Sequence, residues 1–483
     1  MSDQIFARTR ELKVLERLYT SRKPEFLAIY GRRRVGKTFL IREFFKNKGL
    51  YFALTGVRGA STRKQLKNFT KEMRRAFGLS QEQKTPSDWL EAFAELRKSI
   101  EEVKTPGRII LFFDELPWLA SPRSGFLQDL DHFWNRYMSE DSRIVVIVCG
   151  SAASWMIRKI VRDKGGLHGR LTAQIRLLPF DLKETEEFLR EREISLNRKA
   201  IVDIYMAIGG IPKYLSYIQK GQSALQTINQ LCFDGPLVDE FEELYGSLFE
   251  SHDRHVNVVK ALAEHPNGMT RSAIAKAAGI STGGGMHMIL DELEQSGFIL
   301  SIKDFGKQKK ESRFRLIDEF SLFHLKWSAK ARGNNLSARN DQFWITAFNT
   351  PQGQVWAGHA FEMLCMKHLP NIKQALGIAG VLTNASGWVY KPQTEGDGRG
   401  TQIDLLIDRA DNCINLCEIK YYNEEFLINK SCDKELREKK AIFLERTKSR
   451  KSVFLTLISP FGIKKNAGHF ETADVTLTLD DLF

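Results

Sequence analysis

One stretch constrains this chain more than any other: Tyr30-Gly31-Arg32-Arg33-Arg34-Val35-Gly36-Lys37-Thr38, a glycine followed after four residues by Gly-Lys-Thr. Before it, Phe26-Leu27-Ala28-Ile29-Tyr30 predicts a buried strand, and after it Phe39-Leu40-Ile41-Arg42-Glu43-Phe44-Phe45 opens a helix. A strand, a glycine-bounded loop and a helix N-terminus form a cradle for phosphate oxygens. The glycines let backbone N–H groups close around the anion, and the helix end adds partial positive charge. The spacing predicts that Gly31, Arg32, Arg33, Arg34, Val35, Gly36, Lys37 and Thr38 bind a nucleoside triphosphate, ATP by default. Lys37 supplies charge to the β and γ phosphates, and Thr38 offers its hydroxyl to Mg²⁺.

A second segment supports the first. Ile109-Ile110-Leu111-Phe112-Phe113 is an apolar strand that runs into Asp114-Glu115. Taken alone it is a buried strand with an acidic end; behind a phosphate loop, Asp114 is expected to hold Mg²⁺ and Glu115 to orient or deprotonate the attacking water. Hydrolysis is therefore expected, and not binding alone. A further apolar run, Arg143-Ile144-Val145-Val146-Ile147-Val148-Cys149-Gly150, predicts a parallel strand covered on both faces and ends at Ser151. Ser151 is placed to sense the γ phosphate or the water, or else is an ordinary strand-to-helix turn. In Leu167-His168-Gly169-Arg170-Leu171, Arg170 either reaches a γ phosphate in its own or a neighbouring subunit or is a solvated loop residue.

At 483 residues the chain exceeds a single core, so two to four domains are expected. No run of eighteen apolar residues and no N-terminal signal pattern is present, which argues against membrane insertion and secretion and for the cytoplasm. Cys149, Cys232, Cys365, Cys413, Cys417 and Cys432 lack paired metal or redox spacing and are expected to be mostly buried thiols. The net charge of +13 fits a polyanionic partner.

In this order, the segments resemble the AAA-type ATPases of the archaeal-ATPase family, which are related to the STAND signalling ATPases. Phe6-x-Arg8-x-x-Glu11-Leu12 looks like that family's segment near the adenine. Pro179-Phe180-Asp181-Leu182 resembles the start of its helical lid, and Gly209-Gly210-Ile211-Pro212-Lys213-Tyr214-Leu215 the lid signature, in which Pro212 would lie against the nucleotide. The resemblance implies a P-loop core over 1–180 and a helical lid over 181–245. It implies either ring-like homo-oligomers or slow nucleotide-gated switches.

Residues 250–320 read as a winged helix-turn-helix. Val256, Val258-Val259 and Ala261-Leu262 have helical spacing, Met269 to Gly279 gives a second helix, and Met286 to Gln295 a third. Gly297 to Ile302 and Arg313 to Ile317 are expected to pair as a hairpin. Lys303, Lys307, Lys309, Lys310, Arg313 and Arg315 would then contact nucleic-acid phosphates at the wing, or form a solvated tip. A linker is expected over 321–350, around Asn334 to Asn340.

The remaining residues, 351–483, carry a second constellation. Gln402-Ile403-Asp404-Leu405-Leu406-Ile407-Asp408 and Cys413-Ile414-Asn415-Leu416-Cys417-Glu418-Ile419-Lys420 predict two strands. A turn at Ala410 to Asn412 that pairs Arg409 with Cys413 sets Asp404 opposite Glu418, with Lys420 on the same face. Two carboxylates suit Mg²⁺ or Mn²⁺, and Lys420 can position water. Asp followed by Glu-x-Lys resembles the PD-(D/E)XK nuclease core, and Glu362, in the amphipathic segment Trp356 to Cys365, corresponds to the acid from its first helix. The residue before Asp404 is Ile403, not proline. The fold class expected is thus α/β multidomain: P-loop core, helical lid, winged helix and restriction-endonuclease-like C-terminal domain. Two functions follow: an ATPase that controls a metal-dependent nuclease acting on DNA, or an ATP-gated interaction protein whose nuclease-like domain is silent.

Overall fold

The computed structural model describes residues 5–80, 83–104, 107–162, 167, 169–249, 252–307, 312–333, 342–392, 400–464 and 472–483. They form two compact units. One runs to Pro179 and takes in Leu248; the other begins at Phe180.

The first unit is built on five strands, β1 (Glu25–Tyr30), β2 (Leu50–Thr55), β3 (Ile109–Asp114), β4 (Ile144–Gly150) and β5 (Ala173–Arg176), in the order β2-β3-β4-β1-β5. All neighbours are parallel. β1, β3 and β4 are buried along their whole length, which is why their sequences are continuous apolar runs rather than alternating ones. One face packs against a cluster of aromatic rings. Trp89 meets Phe126 edge-on at 4.7 Å, and Phe93 stacks on Phe133 at 4.9 Å. Burying each such ring contributes about 1.5–3 kcal/mol. Because β4 lies between β1 and β3, with Tyr30 level with Gly150 and Phe113 level with Val148, the segments that leave these three strands emerge side by side.

The second unit opens with helices Leu182–Glu191 and Arg198–Ile208, the first started by a capping box of Asp181 and Glu184. Gly209 ends the second helix at φ +67°, and a Cβ on Gly210 would lie 1.9 Å from the carbonyl oxygen of Phe180. Both glycines therefore have local structural reasons. Pro212 opens the short helix Pro212–Leu215, where its missing N–H costs nothing.

Next come helices His252–Ala263, Arg271–Ala278 and Gly284–Gln295, with strands β6 (Met269–Thr270), β7 (Ile299–Ile302) and β8 (Arg313–Leu316) in the antiparallel order β6-β8-β7. The stretch 321–350 is not a plain linker. It holds helix Phe343–Phe348, whose fully buried Trp344 packs edge-on against Phe323 at 4.7 Å and Trp356 at 5.1 Å. Asn334 to Asn340 lie outside the described residues.

Helix Pro351–Lys367 then leads to β9 (Thr383–Tyr390), β10 (Thr401–Arg409) and β11 (Cys413–Ile419), an antiparallel meander. Helix Lys430–Thr447 crosses over to β12 (Ser452–Ile458), parallel to β11, and β13 (Val475–Leu477) completes the sheet. Cys149, Cys232, Cys365 and Cys417 are buried, whereas Cys413 and Cys432 are partly exposed. No described helix is long and apolar enough to cross a membrane.

His368 ties two parts of this unit together. It is buried, its Nε2 accepts from the backbone N–H of Leu182 at 3.2 Å, and Nδ1 lies 2.8 Å from the carbonyl of Leu364. Burial pushes its pKa down to about 4. The native chain thus refuses a proton that the unfolded chain takes up near pH 6.5, so this stability is complete above that pH and is lost as pH falls toward 4. Thermal denaturation is expected to show a loss on the order of 2 kcal/mol between pH 7 and pH 5 that shrinks in His368→Gln; equal pH slopes in both proteins would remove His368 as the cause.

Candidate functional site

The loop after β1 is shaped by backbone that only certain residues tolerate. Gly31 sits at φ +153°, and a Cβ there would lie 2.1 Å from the carbonyl oxygen of Leu177. Gly36 sits at φ +93°, directly before helix Lys37–Phe45. The Lys37 side chain is buried across the loop mouth. Its Nζ donates to the carbonyls of Gly31 and Arg32 at 2.9 Å each and to Ser151 Oγ at 3.3 Å. From the N-terminal segment, buried Arg8 donates to the carbonyl of Val35 at 3.1 Å and so braces the loop from behind. Sequence reading placed Arg8 near the adenine but did not give it this role.

The ends of β3 and β4 complete the site. Thr38 Oγ1 donates to Asp114 Oδ2 at 2.8 Å. Glu115 adopts a left-handed backbone, φ 46° and ψ 52°, a conformation that costs roughly 1 kcal/mol or more outside glycine. Its carboxylate accepts from Ser151 Oγ at 2.5 Å and from the Ser151 N–H at 3.2 Å. Ser151 therefore touches both Lys37 and Glu115, and five of the expected residues, Lys37, Thr38, Asp114, Glu115 and Ser151, form one connected set. Burial, reinforced by the charge of Asp114, pushes the Cys149 thiol well up, so it stays neutral beneath the site. Arg170 occupies an exposed turn and makes no side-chain hydrogen bond or ion pair among the described residues. Pro212 belongs to the second unit.

In the second unit the expected strand register is observed, with Leu405 opposite Cys417 and Asp408 opposite Ile414. The β9–β10 pairing shifts register between Ile403 and Leu406, which places Asp404 at an irregularity of the kind often found beside active sites. Asp404 Oδ2 lies 3.5 Å from the N–H of Ile419. Asp404, Glu418, Lys420 and Glu362 line one cavity of about 320 Å³, together with Lys439.

Glu418 is buried and bound by two lysines. Lys439 Nζ donates to both its oxygens at 2.9 Å, and Lys420 Nζ lies 2.8 Å from Oε1. Lys439, on helix Lys430–Thr447, was not singled out in the sequence; only the crossover brings it here. Glu362 lies 3.6 Å from His359 Nδ1. Among the described residues no group of three or more His, Cys, Asp or Glu is arranged to hold a metal ion. The donor set here is the pair Asp404 and Glu418. Burial, then the charges of Glu362 and Glu418, push the pKa of Asp404 up to about 7.

The basic β7–β8 hairpin differs from expectation. Arg315 is buried and Arg313 pairs with Asp304 at 3.2 Å, so neither faces solvent freely. Phe305 donates its N–H to the carbonyl of Gly387 at 2.9 Å and its ring meets Phe443 at 5.5 Å, which packs the β7–β8 hairpin on β9 and the crossover helix. Lys303 and Lys307 stay exposed; Lys309 and Lys310 lie outside the described residues.

Residues 5–218 match a family model described as an ATPase domain predominantly from Archaea. Over 214 residues the chain is 27% identical to an uncharacterized protein of Methanocaldococcus jannaschii, an alignment that covers 44% of this chain and 43% of that one. An uncharacterized ATP-binding protein of the same organism is 51% identical over 41 residues, 8% of this chain and 70% of the relative. The solved Walker-type ATPase of Pyrococcus abyssi aligns with 67% of this chain and 97% of its own at a TM-score of 0.46 and 20% identity. The chain thus spans less than half the length of the first of these relatives.

The raised pKa of Asp404 has a stability consequence of definite sign. The native carboxyl keeps a proton that the unfolded chain releases near pH 4, so its contribution is complete below that pH and is lost as pH rises through about 7. Asp404→Asn is expected to raise resistance to denaturant at pH 8 and to change it little at pH 4, and a pH-independent difference would contradict this account.

Proposed function

The chain carries, over residues 5–218, an ATPase domain of the kind found predominantly in Archaea, and on that premise we propose that it binds ATP with Mg²⁺ at Gly31 to Thr38, hydrolyses it, and uses the cycle to control a nucleic-acid-binding, nuclease-like C-terminal half. The observation that carries the ATPase reading is the connected set in which Ser151 joins Lys37 to Glu115 while Thr38 meets Asp114. Hydroxyl and carboxylate oxygens side by side are the hard donors that Mg²⁺ prefers, so Thr38 and Asp114 would hold it. When bound, Mg²⁺ neutralises charge on the β and γ phosphate oxygens.

The chain's own residues do the rest. The ammonium of Lys37, now bound to two neutral carbonyls, gains a stronger charge-assisted partner in a γ-phosphate oxygen. Glu115 accepts a proton from the attacking water, and Ser151 holds that carboxylate in place. Arg170, exposed in its turn, is our candidate for reaching a γ phosphate in its own or a neighbouring copy.

For the second half, the three helices and the β6-β8-β7 sheet support a winged-helix reading, and the net charge of +13 over the whole chain supports a DNA partner. The nuclease-like reading is supported by Asp404 and Glu418 lining one polar cavity with Lys420. Two carboxylates that line one cavity are a donor set that Mg²⁺ or Mn²⁺ completes with water and phosphate oxygens. Lys420 would orient the water, and Glu362 adds the further acid that the motif carries.

A second reading, an ATP-gated interaction protein with a silent C-terminal domain, is favoured by one observation. Glu418 is already bound by both Lys439 and Lys420. Cleavage of DNA and RNA with Mg²⁺ or Mn²⁺, with and without ATP, separates the two when the parent is compared with Glu418→Ala. Activity lost only in the variant supports the nuclease, and none in either supports the interaction protein.

Two outcomes test the ATPase half directly. Lys37→Ala is expected to weaken ATP binding by about 10²-fold, as for a lost charge-assisted contact. Glu115→Gln is expected to keep nucleotide affinity while turnover falls by about 10²-fold or more, and normal turnover would remove Glu115 as the base.

A further inference from the structure

Arg315 stands apart from the other cations of the second unit. It lies on β8, only 5% exposed, and among the described residues its guanidinium makes one polar contact, Nη1 to the sulfur of Met366 at 3.8 Å. Met366 lies one helical turn beyond Glu362 on helix Pro351–Lys367. On the other side the guanidinium runs along the sheet: a Cβ built on Gly387 of β9 would lie 3.7 Å from Arg315 Nη2 and 3.9 Å from the carbonyl oxygen of Ile403, the residue before Asp404. It is thus set between the helix that bears Glu362 and β9, the strand that pairs with the one bearing Asp404. Near its base the side chain passes Gly268, where at φ +75° a Cβ would sit 2.8 Å from Arg315 Cγ.

Three carboxylates act on this buried group. Burial pulls its pKa down, and the carboxylates of Glu362, Asp304 and Asp404 act against that. Asp304 is shared, since it also pairs with Arg313.

We propose that Arg315 is a positioning residue for the C-terminal acids: a built-in counter-charge, supplied by the neighbouring β7–β8 hairpin, that acts on Glu362 and Asp404 through its field and sets how tightly the site takes a divalent cation. The proposal rests on the nuclease-like reading of that site. Lys420 and Lys439 also offset negative charge there, but their side chains are 33% and 16% exposed and can swing toward solvent when a cation arrives. Arg315 is enclosed by β8, β9 and the helix and cannot leave without the hairpin. Its field therefore opposes an incoming cation persistently, and low-dielectric surroundings screen it little.

The test is Mg²⁺ binding to the nucleotide-free full chain by calorimetry at pH 8.5, where Asp404 is ionised. The parent is compared with Asp404→Asn, Arg315→Met and Arg315→Lys. Arg315→Met is expected to bind Mg²⁺ about tenfold more tightly, the scale of one buried charge acting on a divalent ion, and Arg315→Lys to match the parent. If Asp404→Asn leaves Mg²⁺ binding intact, the metal-site reading itself fails. If Asp404→Asn abolishes a binding event that Arg315→Met leaves unchanged or weakens, the role of Arg315 is overturned while the site stands. Should Arg315→Met not fold, Arg315→Gln carries the same expectation, and a parent-like affinity in it overturns the proposal.

Discussion

The placement of β4 between β1 and β3 is the constraint on which the first unit depends. A parallel sheet delivers the C-terminal ends of its strands to one edge, and this order sets Ser151 between the phosphate loop and the Asp114-Glu115 pair. One hydroxyl can then contact a buried ammonium and a carboxylate at once. Without that strand, Lys37 and Glu115 would belong to loops with no shared partner. The left-handed backbone of Glu115 is part of the same arrangement, since this is the residue whose carboxylate meets Ser151. The local strain is offset by two hydrogen bonds to the acid.

The second unit solves a different electrostatic problem. Five acids, Glu362, Asp404, Glu418, Glu435 and Glu438, line one cavity, and like charges in a partly buried place repel. The chain answers with cations from three elements: Lys420 at the end of β11, Lys439 from the crossover helix and Arg315 from β8. Even so, Asp404 keeps a raised pKa, first because it is buried and then because Glu362 and Glu418 are close. A buried carboxyl beside other acids favours a proton or a cation, and this links the chemistry proposed for the site to its pH-dependent stability.

The β7–β8 hairpin connects these themes. In a free winged helix its basic residues would face a phosphate backbone. Here Phe305 packs on Phe443, Arg313 turns to Asp304 and Arg315 is buried, so much of the hairpin's charge is used inside the chain. Lys303 and Lys307 are what remain on the described surface.

What the sequence determined by itself was local. The strand, loop and helix around Gly31 to Thr38 are legible because glycine spacing and apolar runs are short-range signals, and the Asp404–Glu418 hairpin was legible because a tight turn and a two-residue period fix register. The helices of residues 252–295 follow from the 3.6-residue period and a glycine cap at Gly279 in the same way. Tertiary structure alone decided the partners that come from far along the chain: Arg8 behind the loop, Lys439 on Glu418, Arg315 against Met366, and Trp344 in a core where a linker was expected. No local pattern marks such residues. A lysine on a helix or an arginine on a strand reads as solvated surface until packing removes the water around it, and that removal depends on segments tens or hundreds of residues away.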